Sequence, residues 1–452
     1  MIHALKFALI AACALATLPA GAQTANNLAA LKGLAPFAAL PNTPAGQAAL
    51  AANFAVTGGV QSGALRRPSL LPFAEQQQQA LRDVFITGGD LAELADGLGT
   101  TLGAAYLARA HYIDRKHFTN VSPAVADVIA YALITSGVDS NSAKYFFANA
   151  TTDGKTPVSD PAAAILAESH GVTDVYGLAY SRPRGGPDAD PFGDSRPFQT
   201  EPNFAAIAGP DYFNVPADNF VYNRGPAMNL VDSPSFPSGH TTYGYTGALL
   251  LALLTPERYR EMIARAAEYG EDRIVVGAHY AMDVLAGRTL ATYDVAHLIA
   301  NDPAYAGQTL RGAPAIADFP AALKAARADL VAALQAGCGD TIAVCARADT
   351  GRFSDAAADE AFVAATQTYG LPVVYPKAAA GTEDVATLAP EAGYLLTVAF
   401  PSLSLAEADQ ILTETEGPGG GFLDDGVSPF GIYSRLNLYA AAGLAAERTA
   451  GK

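Results

Sequence analysis

Charge, tryptophan, cysteine and long apolar runs are all scarce or missing in this 452-residue chain. Only 16% of its residues are charged while half are hydrophobic, so it can bury a sizeable core and is not an intrinsically disordered chain. No internal apolar run reaches the ~20 residues that a membrane-spanning helix needs. The best candidate, Gly247 to Leu254 (GALLLALL), is closed off by Pro256, Glu257 and Arg258 and reads as a buried helix. Sustained β-branched alternation is also missing, and the Ala-rich segments lean towards helix. Basic residues are outnumbered 28 to 44 by acidic ones, giving a net charge of −16. Such a surface argues against nucleic acid or anionic lipid as a partner, and the short apolar runs argue against membrane insertion. Any anion pocket must then be a local reversal of that field, built from clustered arginines.

Residues 1–22 have the three parts of a signal peptide: Lys6 for positive charge, Phe7 to Leu18 as a short apolar stretch, and Ala20-Gly21-Ala22 as a small-x-small cleavage site. The expected localisation is periplasmic or secreted. Cleavage removes Lys6 and no acidic residue, which moves the net charge from −16 to −17. Cys13 leaves with that segment. Cys338 and Cys345 remain close together in CGDTIAVC, with no third Cys or His nearby to complete a metal site. In an oxidising compartment this pair reads as a local structural disulfide.

Residues 23 to about 75 form an Ala-rich lead-in interrupted by Pro and Gly. Helical patterns then cover about 76–94, 121–136, 160–180, 238–254, 256–269 and 279–300. Between about 182 and 236 the pattern fails: nine prolines, several glycines and many Asp and Asn residues make a long irregular segment. A stretch of that kind inside a compact domain is disordered or functional, and this one is bracketed by the strongest chemical motifs, so we read it as active-site wall. Helix returns from about 316, and the chain passes the cysteine pair to a Gly-rich break at Gly417 to Gly421. Ser404 and Glu407 have capping-box spacing before a late helix. The expected division is a main helical domain over 23–315 and a C-terminal helical extension or small second domain over 316–452. No internal repeat is present, and an oligomer is compatible with all of this.

Seven histidines occur, at 3, 111, 117, 170, 240, 279 and 297, and two sit in dense patterns. Pro237-Ser238-Gly239-His240 precedes a helical sequence, with Ser238 as a helix opener. The first N–H groups of such a helix have no partner within it and make an anion site, which Gly239 lets a ligand approach closely. His240 beside that anion can supply a proton. The second pattern is Arg273, His279 and Asp283 (RIVVGAHYAMD). Four residues apart on a helix, His279 and Asp283 share a face, so the carboxylate can fix the imidazole tautomer and leave the other ring nitrogen free to attack. Arg273 offers a guanidinium fork to phosphate oxygens. Alone, each pattern has an ordinary explanation; together, in order and 32 residues apart, they do not.

These residues resemble the type 2 phosphatidic acid phosphatase superfamily, which includes bacterial class A non-specific acid phosphatases and vanadium haloperoxidases. Its signature runs Lys-x6-Arg-Pro, Pro-Ser-Gly-His, then Ser-Arg-x5-His-x3-Asp. Pro237 to His240 match the second part, and Arg273, His279 and Asp283 the third, with Asp272 in place of Ser. The first part departs. Arg196-Pro197 and Arg182-Pro183 compete for it, and their lysine positions hold Ala189 and Val175. Arg184, the unused arginine, or one of Lys116, Lys144 and Lys155 could supply the missing charge, and Arg196 is the favoured family arginine.

The resemblance implies an all-α helical bundle of the acid phosphatase/vanadium haloperoxidase type with a long irregular active-site segment and a C-terminal extension. It implies a phosphoric monoester hydrolase acting on small-molecule phosphate esters. His279 is the nucleophile, Asp283 orients it, and His240 is the acid. Arg273, Arg196 or Arg182, Ser238 and Gly239 hold the phosphate. No metal or other cofactor is expected, and vanadate is expected as an inhibitor. The alternatives are a vanadium-dependent haloperoxidase, for which vanadate is the cofactor, and an inactive anion-binding relative. The short His240–Arg273 gap and the missing tryptophan count against the haloperoxidase.

Overall fold

The structure, a computed structural model, describes residues 25–85, 89–201, 204–220, 230–310 and 312–450. The expected signal peptide and Cys13 lie outside them. The described residues are mostly helical, with a single two-stranded antiparallel sheet, β1 (Ala208–Pro210) and β2 (Pro216–Asp218), inside the irregular segment.

Six helices position the site. Helix α1 is Pro44–Gln61, α2 Pro123–Asn149, α3 Gly239–Leu254, α4 Tyr259–Val275, α5 Ala281–Ile299 and α6 Phe319–Cys338. Local sequence sets their starts. Thr43 and Ser122 cap α1 and α2 with a side-chain oxygen, each followed by Pro at the first helical position. Ser238 caps α3 by accepting the Thr241 N–H, and Asp318 caps α6 by accepting from Ala321. α3 lies at the centre, packed on α2, α4, α5 and α6. It is apolar all round, and Gly247 to Leu254 is completely enclosed, as expected of a core helix rather than a membrane span. Among the described residues no helix is long and apolar enough to cross a membrane.

Several helix boundaries move. The 121–136 pattern belongs to a helix reaching Asn149, because Ser136, Asp139, Ser140 and Lys144 are buried polar residues that interrupt the apolar period. The 160–180 pattern splits into Asp160–Glu168 and Val175–Ala179 where His170 and Asp174 take left-handed conformations. The 76–94 pattern gives a helix over Phe73–Arg82 and a separate 3₁₀ turn at Ala92–Leu98, which starts where Asp90 accepts the Ala92 N–H at 2.6 Å. The Ser404/Glu407 capping box forms with both reciprocal bonds. Cys338 and Cys345 are disulfide-bonded at the end of α6. Residues after 316 add Phe319, Leu330, Leu395, Ile411 and Ala442 to the same continuous core as α3 and α4.

Candidate active site

Helix α4 ends in a turn that sets up everything after it. The Arg273 carbonyl accepts from both Ala278 N (3.1 Å) and His279 N (3.2 Å). Gly277 sits there at φ +74°, where a Cβ would also strike the Phe204 ring at 1.8 Å, so only glycine makes this turn. His279 therefore lies in the loop, not on a helix, which corrects the expectation that His279 and Asp283 share a helical face. They meet because Asp283 occupies the third position of α5 and folds back over the helix start, accepting the Tyr280 N–H at 2.9 Å.

The imidazole of His279 is fully buried and gripped at both nitrogens. Nδ1 lies 3.2 Å from Asp283 Oδ2, and Nε2 accepts from Arg196 Nη1 at 3.0 Å. That pairing puts the proton on Nδ1 and the lone pair on Nε2. Asp283 is fixed in turn by the Tyr176 hydroxyl (2.7 Å) and the Ser235 hydroxyl. Burial raises the Asp283 carboxyl, and the bonds from Ser235, Tyr176 and the Tyr280 N–H hold it back. Burial pushes the His279 pKa well below the usual imidazole value, and the cations of Arg196, Lys144 and Arg273 push it further. His240, on the first turn of α3, is 6.4 Å from His279 between ring centres. Burial, then Arg273, Arg196 and Lys144, depress it in the same way.

Arg196 joins the site and Arg182 does not. Besides His279, the Arg196 guanidinium donates to the carbonyls of Ser233 (2.7 Å), Pro234 (3.1 Å) and Ala278 (2.9 Å). The short helix it caps is pinned to the α4 turn by Phe198 N on the Gly277 carbonyl at 3.1 Å. Arg182 instead donates to Pro187 within its own loop at 3.3 Å. Ser238 donates its N–H to the Asp283 carbonyl at 3.1 Å, joining the two motifs directly. Gly287 permits that approach, since a Cβ there would lie 2.6 Å from the Ser238 carbonyl oxygen.

Arg273 is different from every group around it. Its guanidinium is fully buried, and Nε, Nη1 and Nη2 have no hydrogen-bond partner among the described residues. Burial lowers its pKa, which is the mark of a cation not fully compensated. A buried cation without acceptors is costly unless an anion arrives to meet it. Its neighbour Asp272, at the motif's Ser position, lies against Asp83, and burial with the Asp83 and Glu268 charges raises it well above the usual carboxyl range.

Lys144 is the cation that motif spacing could not assign. It projects from α2, is 6% exposed, and donates to the carbonyls of Pro237 (2.7 Å), Pro234 (2.9 Å) and Ser235 (3.2 Å). It thus clasps the strand of chain leading into Ser238, and a Cβ on Gly239 would touch its Cε at 3.5 Å. Tyr176 and Ser235, which hold Asp283, also escaped the sequence reading. No spacing rule marks them.

The model of the PAP2 superfamily matches residues 195–303. The non-specific acid phosphatase of Salmonella typhimurium is 45% identical over 64 residues, which is 14% of this chain and 26% of that protein. The acid phosphatase of Zymomonas mobilis is 45% identical over 84 residues, 19% of this chain and 32% of that protein. The lipid A 1-phosphatase of Rhizobium etli is 42% identical over 81 residues, 18% of this chain and 33% of that protein. The chain thus matches about a quarter to a third of the length of these relatives.

Proposed function

We propose that this protein, whose residues 195–303 match the model of the PAP2 superfamily, is an exported acid phosphatase that hydrolyses phosphomonoesters through a phosphohistidine on His279. The observation that carries the reading is Arg273: a buried, unpartnered guanidinium beside the two histidines, in a protein of net charge −16, calls for an anion. The relatives named acid phosphatase support a phosphate ester as that anion.

In the first step the Nε2 lone pair of His279 attacks phosphorus as the bond to the ester oxygen breaks. His240 in its protonated form gives its proton to the departing alcohol. Asp283 holds the Nδ1 proton and offsets the charge that the phosphorylated imidazole carries. In the second step His240, now neutral, takes a proton from water, whose oxygen attacks phosphorus; the P–N bond breaks and inorganic phosphate leaves. Arg273, the Arg196 N–H that leaves Nε2 when phosphorus takes its place, and the first turn of α3 stabilise the phosphoryl oxygens. Lys144 supplies the charge that Ala189 does not, while its three carbonyl bonds hold the Pro234–Pro237 segment in place. Arginines and helix N–H groups take the electrostatic role that a metal ion has elsewhere, so activity is expected to survive EDTA.

Hydrolysis of p-nitrophenyl phosphate by the full chain and by His279→Ala tests this, with radiolabelled phosphate trapped on the protein by denaturation at alkaline pH, where a phosphohistidine survives. Turnover in the wild type that disappears in the variant, and label that disappears with it, is the expected result. Equal turnover in both removes His279 as nucleophile. Bromination with vanadate and peroxide, run in parallel, must be absent.

A further inference from the structure

We infer that a second anion site lies between α5 and the C-terminal third, and that it takes a small monocarboxylate with an apolar body. The site is a cavity of about 100 Å³. Its walls are the α5 face bearing Met282, Leu285 and Arg288, and a C-terminal layer that includes Leu371, Val373 and Phe422. The Pro418–Gly421 break closes one side.

Apart from Arg288 the cavity wall is uncharged; it includes no carboxylate. Arg288 is 9% exposed and forms no ion pair with a carboxylate among the described residues. Its Nη2 donates to the carbonyls of Gln367 and Ser434, each at 3.0 Å, and the Tyr245 and Tyr369 hydroxyls lie near it. All of these are neutral. Its Nε is buried with no acceptor. A guanidinium at the end of an apolar cavity, with carbonyls for partners and a free donor, lacks a negative charge and not merely hydrogen bonds. A planar carboxylate matches that fork, and the aliphatic and aromatic walls take the first carbons of an apolar chain. This holds whether or not His279 is a nucleophile, because none of the residues involved touches the two histidines.

Titration calorimetry of the full chain with octanoate tests the site. A dissociation constant of roughly 0.1–1 mM is expected for a ligand of this size, with 1-octanol at least 10-fold weaker. Arg288→Met should weaken octanoate at least 10-fold. Gly421→Leu should do the same by filling the cavity, since a Cβ at Gly421 meets nothing within 4 Å and its backbone is not left-handed. His279→Ala should bind octanoate as the wild type does, which separates this site from the phosphatase reading. No binding to the wild type overturns the proposal. So does octanoate binding that survives both Arg288→Met and Gly421→Leu, and octanol binding as tight as octanoate removes the anion.

Discussion

Arg265 and Arg273 stand two turns apart on α4, both completely buried and both near Asp83, and their hydrogen bonding is opposite. Arg265 is saturated: Asp83 grips it with both oxygens (2.6 and 2.8 Å), Asp96 accepts from Nε at 2.7 Å, and the Glu93 carbonyl and Glu268 complete the shell. Those carboxylates hold its pKa well above the ordinary arginine value, while burial lowers that of Arg273. Arg352 extends the Arg265 network through Asp96 and Glu268 at 2.6 and 2.7 Å. One cation is neutralised in advance and ties Asp83 to α4; the other has no hydrogen-bond acceptor among the described residues. The difference teaches that a buried arginine reads as structural or functional by what its donors meet, not by its depth.

Breaking the saturated arginine should cost the most. Arg265→Met leaves Asp83 and Asp96 without their counter-ion, and a loss of about 3–5 kcal/mol is expected in urea unfolding. Activity per folded molecule should stay near wild type. Arg273→Met should do the reverse, with kcat/KM on p-nitrophenyl phosphate falling roughly 100- to 1000-fold and stability unchanged or slightly improved. If Arg273→Met destabilised as much as Arg265→Met, the two arginines would not differ as described.

Lys144 stands between these extremes, since it meets carbonyls only. Lys144→Met is expected to lower kcat/KM roughly 10- to 100-fold, with Lys144→Arg recovering part of it. Full activity in Lys144→Met would remove it from the cradle.

The acidic and basic groups should also separate in their pH dependence. Burial keeps His240 and His279 neutral until well below pH 6.5, yet His240 must carry a proton to serve as acid. The kcat/KM profile should therefore peak below pH 6.5, and a peak at pH 8 would contradict the assigned roles. Stability follows the carboxyls. Asp90, Asp139, Asp190, Asp359 and Asp409 are buried and desolvation raises each to about 7. Between about pH 4 and 7 the folded chain holds protons that the unfolded chain has released, so their contribution is full below that window and lost as pH rises through it. The two depressed histidines oppose this only below pH 6.5. Tm is expected to be higher at pH 5 than at pH 8. The smallest effect belongs to Arg182→Ala, which should leave kcat/KM within about 2-fold, given its exposed loop partner.

Legibility followed distance along the chain. His240, Ser238, Gly239, Arg273, His279 and Asp283 were readable because one loop-and-helix start or one turn holds each group, and short-range spacing survives folding. The Cys338–Cys345 bond was readable for the same reason. The helix at 238–254 was found nearly to the residue because it is buried on all sides. The apolar pattern of α2 stops at 136 because its buried face carries Ser140 and Lys144, and a polar residue facing a site is indistinguishable in sequence from one facing water.

The sequence by itself determined the two histidines, the aspartate, the arginine of the third motif and the helical class, since these depend on local periodicity and spacing. The tertiary structure decided the rest. It put Arg196 rather than Arg182 on His279, placed His279 in a loop that Asp283 reaches from the helix start, and brought Lys144 across from α2. Those choices depend on which backbone carbonyls and which opposite charges a side chain meets after distant segments pack. Desolvation makes those meetings decisive, because a cation shut away from water is stable only where such partners already stand or where a ligand will bring them.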